Sequence, residues 1–516
     1  MKAKELFKRA NMSTKAGVVS RRAGFTIVEL LVVIVVIAIL AAITVVSYNG
    51  LTKQAIETTM KSDLKSAAST LEIDNVRNGA YPANAGLVSN GQGLKSSGSN
   101  VFNYSVDDTG YCISVTNARV DSVFYLRANG QITAGACPIL IATITTSTDH
   151  TCALGSGRAY CWGVNNDRQL GDGTTTTRTS AVAVDTTGVL AGKTISTLSA
   201  GGSHTCALVG TTEIYCWGRN GNGELGDGTT TTRTAPVATT TSGVLAGRTI
   251  TAMVTGSGHT CVIASSQLYC WGYNGSGQLG DGTTTNRTTP VAVNTAGVLA
   301  GKTITAVTTG SNHTCAIASD QRAYCWGNIG YGQIGDGTSS SNRLLPVAVS
   351  TSGVLSGKDI TAISAGGART CAIATGQAYC WGDGGSGALG DGATSNRTSP
   401  VAVNAAGVLS GLTITAISPG NSHTCALASN QLAYCWGSVG YGQVGDGTSS
   451  SNRLTPVAVS TSGVLAGKAI TSIDAGGYHT CAVSSNQGYC WGNNFDGNLN
   501  DGTTTNRLSP VEIRPL

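Results

Sequence analysis

Aromatic residues are scarce. Phe, Trp and Tyr make up 5% of the 516 residues, and only 5 are Phe. A large aromatic core is excluded, so burial must come from Val, Ile, Leu and Ala. Charge is scarce too, at 11% of residues. The formal net charge of +5 is misleading, because residues 1–24 hold seven Lys/Arg and one Glu, and removing them leaves about −1. Residues 141–516 carry 18 basic and 18 acidic side chains. That balance leaves no electrostatic footprint for nucleic acid. A singular catalytic set is missing as well: nearly every polar residue of the long C-terminal region recurs at a fixed period. The chain is therefore read as a non-enzyme with no cofactor.

Glycine and cysteine are plentiful, at 70 and 16 residues. The length exceeds that of one ordinary domain. The stretch that organises the chain is Arg21-Arg22-Ala23-Gly24-Phe25-Thr26-Ile27-Val28-Glu29-Leu30, continuing to Val46. After Gly24 come 22 mostly apolar residues containing one acid, Glu29. As a helix they span about 33 Å, against about 30 Å of bilayer hydrocarbon. A carboxylate at the bilayer centre costs about 2.5–3.5 kcal/mol, less near a helix end, so Glu29 needs a reason to be there. The basic residues before the run hold that end in the cytoplasm.

This stretch resembles the class III leader of type IV pilins and pseudopilins. The resemblance covers roughly the first 80 residues. It implies that a prepilin peptidase cuts between Gly24 and Phe25 and methylates the new Phe25 amine. It also implies an assembly role for Glu29: its carboxylate pairs with the Phe25 ammonium of a neighbouring subunit, neutralising two ions that are costly alone in lipid. Residues 1–24 are then a leader, with either Met1 or Met12 as the start. A twin-arginine signal at Ser20-Arg21-Arg22 and a plain signal anchor are the alternatives.

Leu51, Ala55, Ile56, Met60, Leu64, Ala67 and Leu71 recur at helical spacing, which extends the helix of 25–79 to about Arg77. Asn78-Gly79 stops it, and Tyr81-Pro82 begins an extended segment. Residues 80–138 carry β-like runs at Phe102–Val106, Tyr111–Val115 and Val123–Leu126, enough for a small pilin-like β head. Its two cysteines, Cys112 and Cys137, are expected to form a bridge, as in many pilins.

From residue 139 to 516 the chain repeats. All seven Trp fall at 162, 217, 271, 326, 381, 436 and 491, spaced 54 or 55 residues apart. Each copy has about four short β-rich runs punctuated by Gly, Asn, Asp and Pro. Seven such units predict a seven-bladed β-propeller, with a solenoid as the alternative. The fold class is thus an α+β pilin-like module followed by an all-β propeller. Leu198–Leu208 and Trp271–Gly280 resemble the regulator of chromosome condensation repeat, over about 375 residues. That resemblance speaks for fold and little for function, since the family hosts exchange factors, inhibitors and binding modules. The Gly-Val-Leu of each copy is expected as a strand. The last copy lacks it, and the first begins with Ile139–Ile144, so the two termini are expected to pair and complete the ring.

Each copy holds a cysteine pair: Cys152 and Cys161, Cys206 and Cys216, Cys261 and Cys270, Cys315 and Cys325, Cys371 and Cys380, Cys425 and Cys435, Cys481 and Cys490. A spacing that alternates between nine and ten residues across a short turn reads as a hairpin with a cross-strand disulfide, in keeping with an exported chain. Zinc is the rival, since His-Thr-Cys recurs before six of the turns and Arg369 replaces the histidine in the seventh. The repeated Gly-Asp-Gly with a following Arg reads as a capped turn rather than a calcium loop. Positions where the copies differ mark a candidate ligand surface: Arg168, Arg219, Tyr273, Tyr331, Tyr441 and Phe495.

The expected function is a large, minor pilin-like subunit that displays the propeller for adhesion. Its partners are other pilin subunits through the N-terminal helix, prepilin peptidase, the membrane before assembly, and a surface glycan or protein. It is expected in the cytoplasmic membrane and then on the pilus or cell surface. A pseudopilin of a secretion system, or a tethered enzyme or inhibitor, is the alternative.

Overall fold

The computed structural model describes residues 27–82, 88, 93–107, 110–128, 130–134 and 139–516. The chain divides into two compact units, Met1–Cys137 and Pro138–Leu516. Gly24 and Phe25, the expected cleavage pair, lie outside the described residues.

In the first unit, α1 spans Ile27–Asn78 and carries Glu29 in its first turn. Gly79 follows with φ +74°, a left-handed conformation that suits glycine at a helix end. Met60, Leu64, Ala67 and Leu71 are buried, whereas Leu51 is exposed, so the packed stripe begins later than the periodicity predicts. The stripe faces an antiparallel sheet of β1 (Asn100–Asp107), β2 (Gly110–Asn117), β3 (Val120–Arg127) and β4 (Thr133–Ala134). It packs there against Tyr111, Ile113, Val115 and Phe124. Cys112 is disulfide-bonded; Cys137, its expected partner, lies outside the described residues. Among the described residues no helix is long and apolar enough to cross a membrane. The span expected over 25–46 falls partly outside the described residues.

The second unit is seven four-stranded antiparallel sheets, each made of consecutive strands. Blade 1 holds β5 (Ile141–Thr146), β6 (His150–Gly155), β7 (Arg158–Gly163) and β8 (Arg178–Ala183). The first strand of every blade touches the first strand of the next, and that of blade 7 touches β5, which closes the ring. These strands surround a central opening of about 200 Å³.

The blades are joined by contacts to backbone. Trp217 Nε1 and the Thr205 hydroxyl of blade 2 both donate to the Gln169 carbonyl of blade 1, each at 2.9 Å. At the closing junction Trp162 and Thr151 make the same two bonds to the Asn498 carbonyl. The glycine after each Trp has φ between 98° and 105°. A Cβ on Gly327 would lie 2.6 Å from the Asn312 oxygen, so that position admits no side chain.

The ring corrects two expectations. Gly188-Val189-Leu190 and its counterparts form bends and turns, not strands. Leu190 instead plugs the core between blades 1 and 2. The terminal strands do not pair with one another, because each sheet is already complete from its own copy. The first and last blades meet by side-chain packing of Ile141, Ile144 and Trp162 against Leu499 and Ile513. The Ile141 amide also donates to the Asn486 carbonyl.

Candidate functional site: the loop face of the propeller

In blade 1, His150 at the start of β6 stands opposite Gly163 at the end of β7. The loop entering the second strand and the loop leaving the third therefore emerge on the same edge of each blade. Seven pairs of such loops form one face around the opening. The disulfide hairpins lie at the other edge. The cysteines sit directly opposite in register, for example Cys315 with Cys325, at a Cα separation of 4.1 Å. The other six bridges join the expected pairs. With the sulfurs bonded to each other, the zinc reading loses its thiolate ligands.

The histidines are built into the blade contacts instead. His150 Nε2 lies 2.9 Å from the Thr205 hydroxyl, which already donates its proton to Gln169. The imidazole must therefore donate from Nε2. Burial lowers the His150 pKa to about 3 and the His313 pKa to about 4, so both stay neutral. In blade 5 the buried Arg369 replaces histidine. Its guanidinium donates to the carbonyls of Gly420 at 2.8 Å and Asn421 at 3.1 Å, and pairs with Asp383 at 3.2 Å. Burial lowers its pKa to about 10, against the pull of Asp383.

Around the opening, a hydroxyl from one blade accepts a hydrogen bond from a backbone amide of the next. The Ala200 amide donates to the Thr145 hydroxyl, the Ala365 amide to that of Thr308, and the Ala475 amide to that of Ser418. Blades 3 and 4 have no such bond, since Val254 offers no acceptor there, and neither do blades 5 and 6, since Pro419 has no N–H. At the closing junction the acceptor is a carboxylate, Asp474, which takes the Thr146 amide at 2.7 Å. Burial pushes the Asp474 carboxyl up, while bonds from Thr146 and Ser418 oppose that shift.

The repeated Asp and Arg form capped turns. Asp172 Oδ1 accepts from the Thr174 amide and hydroxyl, and Oδ2 meets Arg178 at 2.7 Å. Burial raises the Asp172 carboxyl, yet the bonds from Thr174 and Arg178 outweigh it and hold it below its ordinary value.

All six candidate surface residues belong to the loops after the third strands, and so lie on this face. The geometry separates their surroundings. Arg168 donates to the Thr232 carbonyl, and Arg219 approaches the buried Glu224 at 3.7 Å. Tyr273 lies across Gly275, and Tyr331 stands 50% exposed. Tyr441 and Phe495 come together, with ring centroids 5.8 Å apart. They are joined by Tyr478, 5.6 Å from Tyr441, which the sequence reading missed. Its signal was available: the residue before each His-Thr-Cys or Arg-Thr-Cys is Asp, Ser, Gly, Asn, Ala or Ser in the other copies.

Residues 184–516 match the model of the RCC1-like domain, and residues 156–208 match the regulator of chromosome condensation (RCC1) repeat. The chain belongs to the RCC1-like domain family. Residues 19–45 carry a match to the prokaryotic N-terminal methylation motif. Among relatives of this RCC1-like chain, the ultraviolet-B receptor UVR8 of Arabidopsis thaliana is 31% identical over 394 residues, covering 75% of this chain and 84% of that protein. The human E3 ubiquitin-protein ligase HERC2 is 27% identical over 335 residues, which is 64% of this chain but 7% of HERC2. Human WBSCR16 and yeast RCC1 (Prp20), the latter solved bound to Kap60, share the fold. Both have a TM-score of 0.59 at 19% identity. They cover 70% and 73% of this chain, and 92% and 85% of their own.

Proposed function

We propose that the chain is a large, minor subunit of a type IV pilus-like filament, carrying its propeller as a ligand-binding head for adhesion. One observation carries this reading. A prokaryotic N-terminal methylation motif runs into a 52-residue helix, whose second half packs on a small antiparallel sheet, the order of elements in a pilin. On this reading prepilin peptidase cuts after Gly24 and methylates Phe25. Residues 25–46 hold the chain in the cytoplasmic membrane until Glu29 pairs with the Phe25 ammonium of a neighbouring subunit. The seven disulfides fit an oxidising destination outside the cytoplasm. A head of this size in every subunit would crowd a helical filament, which favours a minor role. The propeller binds rather than catalyses, since its buried histidines and carboxylates are engaged in joining blades and capping turns.

The test is the N-terminus and the location of the mature protein. Mass spectrometry should find N-methylated Phe25, and the protein should co-purify with sheared filaments. Glu29→Ala should reduce that incorporation at least tenfold. Mature protein that still begins at Met1 or Met12, or that never enters the filament fraction, would overturn the proposal.

A further inference from the structure

We propose that the loop face binds an organic cation, an ammonium group on a small ligand, at the junction of blades 6, 7 and 1. The platform is Tyr441, Tyr478 and Phe495. The inference rests on the reading of this face as the ligand-binding side of the head.

These rings are 37%, 40% and 60% exposed. Their planes meet at 73° and 85°, so they present faces in different directions rather than one flat floor. That arrangement suits a compact head group better than the broad C–H face of a sugar ring, and aromatic faces attract cations electrostatically. The patch is also a departure from the repeat. Where blade 7 has Phe495, five of the other six copies have glycine.

Charge points the same way. The loops 147–149, 438–443, 476–478 and 493–500 contain Asp149 and Asp496 and no Lys or Arg. The Gly477 amide of the Tyr478 loop donates to the Ser147 carbonyl, which brings the Asp149 loop alongside. Burial, with the neighbouring Asp496 charge, pushes the Asp149 carboxyl up. A bound cation would relieve that repulsion. On the loops of blades 1 and 2 the charges balance instead, since Arg168 neighbours Asp167 and Arg219 approaches Glu224, so the uncompensated acids lie on the aromatic side.

The experiment uses the full-length chain with choline, n-butylammonium and N-acetylglucosamine as probes, read by calorimetry and saturation-transfer NMR. The variants are Phe495→Gly, Tyr478→Ser and Asp496→Ser. Each introduces a residue that other copies carry at the same position, so folding should be kept, and thermal unfolding checks this. The expected result is ammonium binding in the millimolar range or tighter. It should weaken at least tenfold in Phe495→Gly and Tyr478→Ser, and several-fold in Asp496→Ser or in high salt. An ammonium probe that does not bind, or that binds the folded variants as well as the parent, would overturn the proposal. Binding of N-acetylglucosamine alone, lost in the same variants, would overturn the cation assignment while sparing the binding-head reading. Unchanged adhesion by cells that lack the propeller would instead sink that reading, with the cation site still measurable.

Discussion

The residues that matter most for the ring are buried polar groups, and their behaviour with pH has a definite sign. Six histidines are held neutral by burial, with pKa lowered from 6.5 to about 3 for His150, His259 and His423, and to about 4 for His204, His313 and His479. The unfolded chain binds the extra protons between these values and 6.5. Their contribution is therefore complete above about pH 6.5 and is lost as pH falls towards 4. Asp474 works in the opposite sense, because a raised carboxyl favours the folded state as pH falls. With six histidines against Asp474 and Asp149, whose carboxyl is likewise raised, the denaturant midpoint should drop steadily between pH 6.5 and 4. Arg369 gives a sharper test. Removing it in Arg369→Ala strands the carbonyls of Gly420 and Asn421, and should cost about 3 kcal/mol by chemical unfolding. Arg369→His, which restores the residue of the other copies, should cost less. None of these roles could be read from the sequence. The repeated His-Thr-Cys shows that histidine is wanted, but its partner, a threonine one blade on, is visible only once the blades are side by side.

Elements were more legible than residues. Strand and hairpin positions follow from short apolar runs between glycines, and the nine- or ten-residue cysteine spacing places both sulfurs on one hairpin. Gly-Val-Leu was misread because a short apolar run bounded by glycines looks the same whether it pairs in a sheet or folds as a turn that plugs a core. In the first unit, strands of eight residues replaced expected runs of four or five, since polar ends such as Asn100 and Asn117 pair in register beyond the apolar centre. The bridge itself is testable. Replacing Cys315 and Cys325 together with Ala should lower stability by about 2.7 kcal/mol in the chain-entropy account, seen as a lower denaturant midpoint under non-reducing conditions.

For the whole molecule, the period of the tryptophans gave the blade number, and the methylation motif gave the domain order. How the ring closes was hidden, because it depends on contacts between residues more than 300 positions apart, such as Thr146 with Asp474. At that closing junction Ile513 is buried and Leu516 packs against the same cluster. Ile513→Ala should cost about 2–5 kcal/mol, and should speed hydrogen exchange first in residues 141–146 and 479–492. Disulfides then keep each hairpin intact while the ring opens. The clamp between blades has a last consequence. Tryptophan and threonine grip a main-chain oxygen, and the amino acid bearing it is Gln169, Glu224, Gln278, Gln333, Ala388, Gln443 or Asn498. Since the grip ignores the identity of the side chain, the buried group at that position is left free to brace the variable loop above it, as Gln443 does by accepting from the Tyr441 amide.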